Sequence, residues 1–280
     1  MDCKEVHLKI QGWLQERLKE SNQRGFVIGV SGGIDSALVS TLCASTGFPT
    51  FVISLPINQE AKQLQRANKH IQWLKDKYGC VVSHEIDLTE ITDCFEKTLQ
   101  NKQINSELVS VNLRSRLRMV ALYAMANQTK LLVAGTGNKI EDFAVGFFTK
   151  GGDGCCDISP IGDLLKSEVR QLAAFLGVDS EIVNAVPTDG LWGDNRSDEE
   201  QLGATYDELE WALNYYETLK IVKPYGIDLD KLPQGFSVES IVLTQPDLTE
   251  RQKEVFSIFT QRHFANKHKM EMPPICYLQR

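Results

Sequence analysis

Along the first two-thirds of the chain, short apolar runs alternate with longer stretches in which apolar residues return every third or fourth position. Phe26-Val27-Ile28-Gly29-Val30, Thr50-Phe51-Val52-Ile53-Ser54, Cys80-Val81-Val82 and Leu131-Leu132-Val133-Ala134 are β-rich and bounded by breakers. Runs that lack a polar side predict strands covered on both faces. The helical stretches between them, at about 34–46, 58–78, 89–101 and 105–128, predict the crossovers of a parallel sheet. Ligands of such sheets bind beyond the carboxyl ends of the strands, so chemistry is expected in the loops after Val30 and Ala134.

Val6, Ile10, Trp13, Leu14 and Leu18 recur at helical spacing and predict an amphipathic helix ahead of the first strand. Residues 145–165 are Gly-rich and read as a loop, followed by a helix from about Lys166 to Leu176. Ser197-x-x-Glu200 and Thr205-x-x-Glu208 are capping boxes that mark helix starts. Residues 218–248 show no clear periodicity, and a helix near 249–265 precedes a tail ending in Pro273-Pro274.

Composition narrows the partners. Thirty basic against 37 acidic side chains give a net charge of −7, which argues against nucleic-acid or membrane-surface binding. No apolar run reaches the roughly 18 residues of a membrane span, and the N-terminus lacks the apolar stretch of a secretory signal. Seven scattered cysteines without a Cys-x-x-Cys pair predict neither a metal cage nor a disulfide framework, and point to the reducing cytoplasm.

The sharpest local signal is Ser31-Gly32-Gly33-Ile34-Asp35-Ser36, which directly follows the first strand and opens a helix. Two glycines let the backbone approach a phosphate, Ser31 and Ser36 add hydroxyl donors, and the free N–H groups of the first helical turn face the same anion. A helix terminus alone contributes only about 0.3–1 kcal/mol, so the loop and its side chains must supply the rest. The plain alternative is a glycine turn with Ser and Asp as helix caps. No lysine follows the glycines, which separates the run from the Walker pattern. A carboxylate beside phosphates needs an intervening cation, so Asp35 predicts Mg²⁺.

This run resembles the signature loop of the ATP pyrophosphatases, which split ATP into AMP and pyrophosphate. Further segments narrow the resemblance. They are Asn112-x-x-x-Arg116-x-Arg118-Met119, Gly135-Thr136-Gly137-Asn138-Lys139-Ile140-Glu141, Phe147 to Gly154, Asp157, Pro160, Lys166, Pro187-Thr188, Asp198-Glu199-x-x-Leu202-Gly203-x-x-Tyr206 and His268-Lys269. Together they resemble the ammonia-dependent NAD synthetase family. The resemblance implies a Rossmann-like, doubly wound parallel α/β sheet of the adenine nucleotide alpha hydrolase kind, in a single domain with C-terminal helices. Within it, residues 1–22 would form an N-terminal helix, 23–217 the core, and 218–280 an extension with a substrate-contacting tail.

The same resemblance implies ligation of deamido-NAD with ammonia, at the expense of ATP, through an acyl-adenylate. Gly29, Val30, Ser31, Gly32, Gly33, Ile34, Asp35 and Ser36 would contact ATP, with Thr136, Lys166 and Thr188. Asp35 and Glu141 would hold Mg²⁺. Arg116, Lys150, Asp157, His268 and Lys269 would contact deamido-NAD. Lys166 and Asp153 would be catalytic, the lysine neutralising phosphate charge and Asp153 binding ammonium and accepting its proton. Read without the resemblance, Arg116 and Arg118 are solvated helix charges, Asp153 a turn residue, and His268 and Lys269 part of a polar tail.

Two departures accompany the match. Gly151 and Cys155-Cys156 stand where the family usually has an aromatic residue and two glycines, and Ser54 stands where some members place an ATP-contacting arginine. About 25 residues precede the first strand, too few for the amidase domain of glutamine-using relatives, so free ammonia is the expected donor. A homodimer is implied, with the N-terminal helix and the Val109–Met125 helix as candidate contact surfaces. A tRNA-thiolating enzyme and a nucleotide-binding module without turnover are the competing readings.

Overall fold

The computed structural model describes residues 1–192, 194, 196–221 and 247–278. The segment 218–248, to which the sequence assigned no role, therefore lies largely outside the described residues. The contacts divide the chain into two units, Met1–Asn138 with Phe148–Asp198 and Lys139–Phe147 with Glu199–Arg280.

The first unit is the expected sheet with its helices. Strands β1 (Phe26–Gly29), β2 (Thr50–Ser54), β3 (Val81–Glu85) and β4 (Leu132–Val133) are all parallel, in the order β3-β2-β1-β4. From β1 the chain winds outward through α2 (Ile34–Ser45) and α3 (Ala61–Lys77), then returns through α4 (Thr89–Gln100) and α5 (Glu107–Thr129) to pair β4 with β1 on the other side. The order reverses between β1 and β4, and the carboxyl ends of these two strands flank the crevice where such sheets take ligands.

Alternation along β1 explains its apolar run. Phe26 and Ile28 join the cluster of α1 (Cys3–Ser21), α2 and α6 (Lys166–Leu176), while Val27 joins the α5 cluster with Met119 and Leu122. Each face of the strand meets a helix, so no position can be polar. Val6, Ile10, Trp13, Leu14 and Leu18 of α1 all pack into the α2–α6 side. Much of the apolar face of α1 is thus used within the chain, with Leu14 and Leu18 buried and Val6, Ile10 and Trp13 partly so.

The second unit is helical. It holds the π-helical stretch Lys139–Val145, most of α8 (Asp198–Leu202), α9 (Tyr206–Ile221) and α10 (Glu250–Met270), while the short α7 (Ser180–Val183) belongs to the first unit. Helices α9 and α10 meet through Tyr216 and Phe259, with ring centroids 5.5 Å apart, and Arg251 grips Glu208 through two nitrogens at 2.7 and 2.8 Å. The Thr205 capping box is formed, with Thr205 N donating to Glu208 at 2.9 Å. Helix α10 runs five residues beyond the expected end, so His268 and Lys269 lie on its last turn and not in a tail.

Candidate active site

The loop after β1 is bonded to itself. Ser31 N donates to Ser36 Oγ at 3.2 Å, Ser36 Oγ donates to Gly33 O at 3.0 Å, and Gly33 N donates to Ser31 Oγ at 3.2 Å. Gly32 has φ +86°, and a Cβ there would stand 2.4 Å from the Gln63 carbonyl oxygen. Both the backbone angle and the contact demand glycine. Gly33 leads into α2 without a side-chain cap, which leaves the first N–H groups of that helix to an anion.

Lys166 reaches the loop from the first turn of α6. It is 2% exposed, and its Nζ donates to Asp35 Oδ2 at 2.5 Å, while Asn138 Nδ2 donates to Asp35 Oδ1 at 3.2 Å. A buried lysine at a helix start opposes the helix dipole, and the Asp35 carboxylate offsets both that and its desolvation. Among the described residues no three His, Cys, Asp or Glu side chains gather around a common point that could hold a metal.

Two loops flank the nucleotide loop. Thr136 is half-buried just past β4. Thr188 Oγ1 donates to Arg196 O and accepts from Gly190 N, both at 3.2 Å, a local turn role. A Cβ at Gly190 (φ +61°) would meet Gln63 Oε1 at 2.6 Å. Gln63 is thus wedged between Gly32 and Gly190 and ties the Thr188 loop to the nucleotide loop.

The turn at 149–157 is fastened to its surroundings. Asp153 Oδ1 accepts from Ser115 Oγ at 2.6 Å and from Thr149 N at 3.0 Å. Asp157 Oδ2 accepts from Val133 N at 2.8 Å, and Tyr123 OH donates to Asp157 Oδ1 at 3.1 Å. The Tyr123 phenol is pushed up by burial first and by the Asp157 charge next. Arg116 Nε donates to Lys150 O at 3.3 Å, so these two exposed cations share one corner.

In the second unit, Tyr206 OH donates to Glu141 Oε1 at 2.5 Å. Tyr206 is fully buried, and Glu141 sits in the π-helical stretch, a form of backbone found often at functional sites. His268 and Lys269 lie on the last turn of α10, which packs on the π-helical stretch of the same unit.

Sequence reasoning passed over several groups. Arg118, read as a solvated charge, is half-buried, with Nε donating to Leu55 O at 3.0 Å. Ser115, Gln63 and Asn138 hold functional loops, and their polar side chains on apolar helix faces or among glycines were the available signal.

Comparison with known proteins fits this arrangement. The model of the NAD synthase family matches residues 6–234. The chain is 38% identical over 243 residues to the NH(3)-dependent NAD(+) synthetase of Methanocaldococcus jannaschii, covering 84% of this chain and 91% of that protein. It is 34% identical to the Archaeoglobus fulgidus protein of the same name, covering 98% and 97% of the two chains. Among solved structures it is similar to NMN synthetase from Francisella tularensis, with a TM-score of 0.79, 28% identity and coverage of 99% and 100%. It is also similar to NH3-dependent NAD synthetase from Campylobacter jejuni, with a TM-score of 0.74, 27% identity and the same coverage.

Proposed function

The chain belongs to the NAD synthase family, and from that premise we infer how its residues carry out the ligation. The enzyme converts deamido-NAD, ATP and ammonia to NAD, AMP and pyrophosphate. A carboxylate is a poor acyl electrophile, so the nicotinate carboxylate is first adenylated at the α-phosphorus of ATP, and ammonia then displaces AMP.

The observation that carries the assignment of residues is the buried Lys166–Asp35 pair beside the uncapped start of α2. In this reading Gly29 to Ser36 cradle the phosphates, Lys166 neutralises charge on them, and Thr136 and Thr188 line the same crevice. Mg²⁺ is the proposed cation. Asp35 would be one ligand, and Glu141, held by Tyr206 in its own unit, would be a second on the sequence resemblance alone. Bound there, the ion supplies charge neutralisation between phosphates and carboxylate.

Arg116 and Lys150, two exposed cations at one corner, are proposed to take the anionic dinucleotide acid, with Asp157, His268 and Lys269. Asp153 is proposed to bind ammonium and accept its proton. The two units are proposed to act as one synthetase domain. Homodimer formation is proposed through α4 and α5, which expose Ile91, Phe95, Leu108 and Val120. Among the described residues no helix is long and apolar enough to cross a membrane, and the seven free thiols suit a cytoplasmic location.

The test is pyrophosphate release from ATP, with deamido-NAD or nicotinate mononucleotide as the acid and ammonium or glutamine as the donor. The expected result is release that depends on deamido-NAD and ammonium. Release without any acid would remove the ligase reading, preference for the mononucleotide would move the substrate, and efficient glutamine use would remove the free-ammonia reading. The mononucleotide arm is included because one similar structure carries the name NMN synthetase.

A further inference from the structure

Helix α5 packs on β1 and turns directly into β4, so its earlier residues project past the carboxyl ends of the strands. The steps can be followed. Leu122 Cδ1 lies 3.4 Å from where a Gly29 Cβ would stand. One turn earlier, Arg118 Nε meets Leu55 O just after β2. Another turn on, Ser115 holds Asp153, and Arg114 Nη1 donates to Leu191 O at 2.8 Å. Arg118 therefore stands among the ends of β1 and β2, the Asp153 turn and the loop of Asp189.

Only one edge of this guanidinium is used. Among the described residues Nε has the Leu55 carbonyl, while the two Nη groups have no hydrogen-bond partner. Asp153 and Asp189 both act on it through space. Burial, with Arg114 adding to it, pulls its proton affinity down to about 10, which leaves it a cation at neutral pH. The cation is half-buried, so its open donor edge can meet an anion brought to the ends of the strands.

We propose that Arg118 is an oxyanion-binding residue of the adenylation step, set to grip the non-bridging oxygens of the α-phosphoryl group as the nicotinate carboxylate attacks it. The proposal rests on the ligase reading above. In that step the carboxylate oxygen bonds to the α-phosphorus, and the bond to the pyrophosphate oxygen breaks, its electron pair leaving with pyrophosphate. The planar guanidinium fork matches two phosphoryl oxygens, a geometry that Lys166 lacks. Ser54 at the end of β2 is buried and uncharged, so at this edge the cation comes from α5 and not from the strand.

The experiment uses the full-length enzyme and measures ATP-dependent pyrophosphate release at saturating deamido-NAD, with thermal midpoints as a folding control. Removing one such donor lowers turnover about 100-fold or more. Arg118→Met is therefore expected to lose about 100-fold in kcat, with KM for ATP changing less than about fivefold, and Arg118→Lys to keep an intermediate rate. Methylguanidine added to Arg118→Ala is expected to recover at least about tenfold, which a packing role would not allow. A kcat within about threefold of wild type for folded Arg118→Met overturns the proposal, as does a loss that methylguanidine leaves untouched. Should Arg118→Met not fold, Arg118→Lys with wild-type kcat and raised KM for ATP also overturns it, because the contact would then belong to ground-state binding. Wild-type release without deamido-NAD would sink the ligase reading and this proposal together. Deamido-NAD-dependent release that Arg118→Met matches would sink this proposal alone.

Discussion

The loop at 31–36 and the turn at 149–157 carry much of the proposed site, and they are built on opposite plans. The Ser31 and Ser36 hydroxyls of the first bond to each other and leave the helix start behind them open, while its Asp35 is held from outside by Lys166 and Asn138. Carboxylates of the second are bonded outward, Asp153 to α5 and Asp157 to the edge of β4. Hydroxyls bonded to each other can be shaped for a ligand without leaving another task, whereas Asp35 must share its carboxylate with Lys166. An outward-bonded turn makes each substitution do two things at once, so its residues need paired controls.

The largest effect is expected where the first loop meets Lys166. Lys166→Met should reduce deamido-NAD-dependent AMP formation by about 1000-fold, and removing the cation that faces Asp35 should cost about 3 kcal/mol in a urea titration. Adding Asp35→Asn should return most of the stability and none of the rate. If the single variant keeps its activity, the loop is a cap and not a phosphate site.

Next comes Gly32→Val, which forces a branched side chain into the left-handed region and onto the Gln63 backbone. Strain of this kind costs about 1–3 kcal/mol, and KM for ATP should rise at least tenfold. Unchanged ATP kinetics would mean that the loop adapts freely.

The turn is separated by a pair of variants. Ser115→Ala removes the fastening of Asp153, whereas Asp153→Asn also removes the proposed proton acceptor. Asp153→Asn is expected to raise KM for ammonium about tenfold above the Ser115→Ala value. Equal values would reduce Asp153 to a turn residue.

The smallest effect lies behind the loop. His70 in α3 is buried, with Nε2 3.0 Å from Ser40 Oγ in α2, and burial lowers its pKa from 6.5 to about 4. The unfolded chain therefore binds more protons between those values, so this contribution is complete above pH 6.5 and drains away as pH falls toward 4. His70→Gln should flatten the acid slope of stability, read by urea titration at pH 7 and pH 5. An unaltered slope would place the proton uptake elsewhere.

Strands β1, β2 and β4 and the loop at 31–36 were legible because their pattern and their task coincide, whereas β3, expected to be covered on both faces, is half exposed and carries His84 and Glu85. A strand covered on both faces has to be apolar, and a phosphate loop has to be glycine-rich. Arg118 was not legible, because charge on a helix usually marks solvent and only the tertiary packing beside Leu55 buries it. The stretch 139–145 was missed as an element, since a π-helical turn has no period that an apolar pattern would display. The end of α10 was placed too early because its last turns, Asn266 to Met270, are polar and partly exposed, and nothing there resembles a core face. The roles of Asp153 and Asp157 in holding the turn were invisible because their partners, Ser115 and the Val133 amide, are distant in sequence.

That longer α10 changes what its final two cations can do. Consecutive positions on a helix diverge by about 100°, so His268 and Lys269 aim in different directions from one rigid rod. They cannot pinch a single charge between them as neighbours on an extended chain could. In the proposed substrate role they would either address two separate groups of one molecule or let one touch it while the other faced elsewhere, and exchanging the two residues would swap those directions without altering composition.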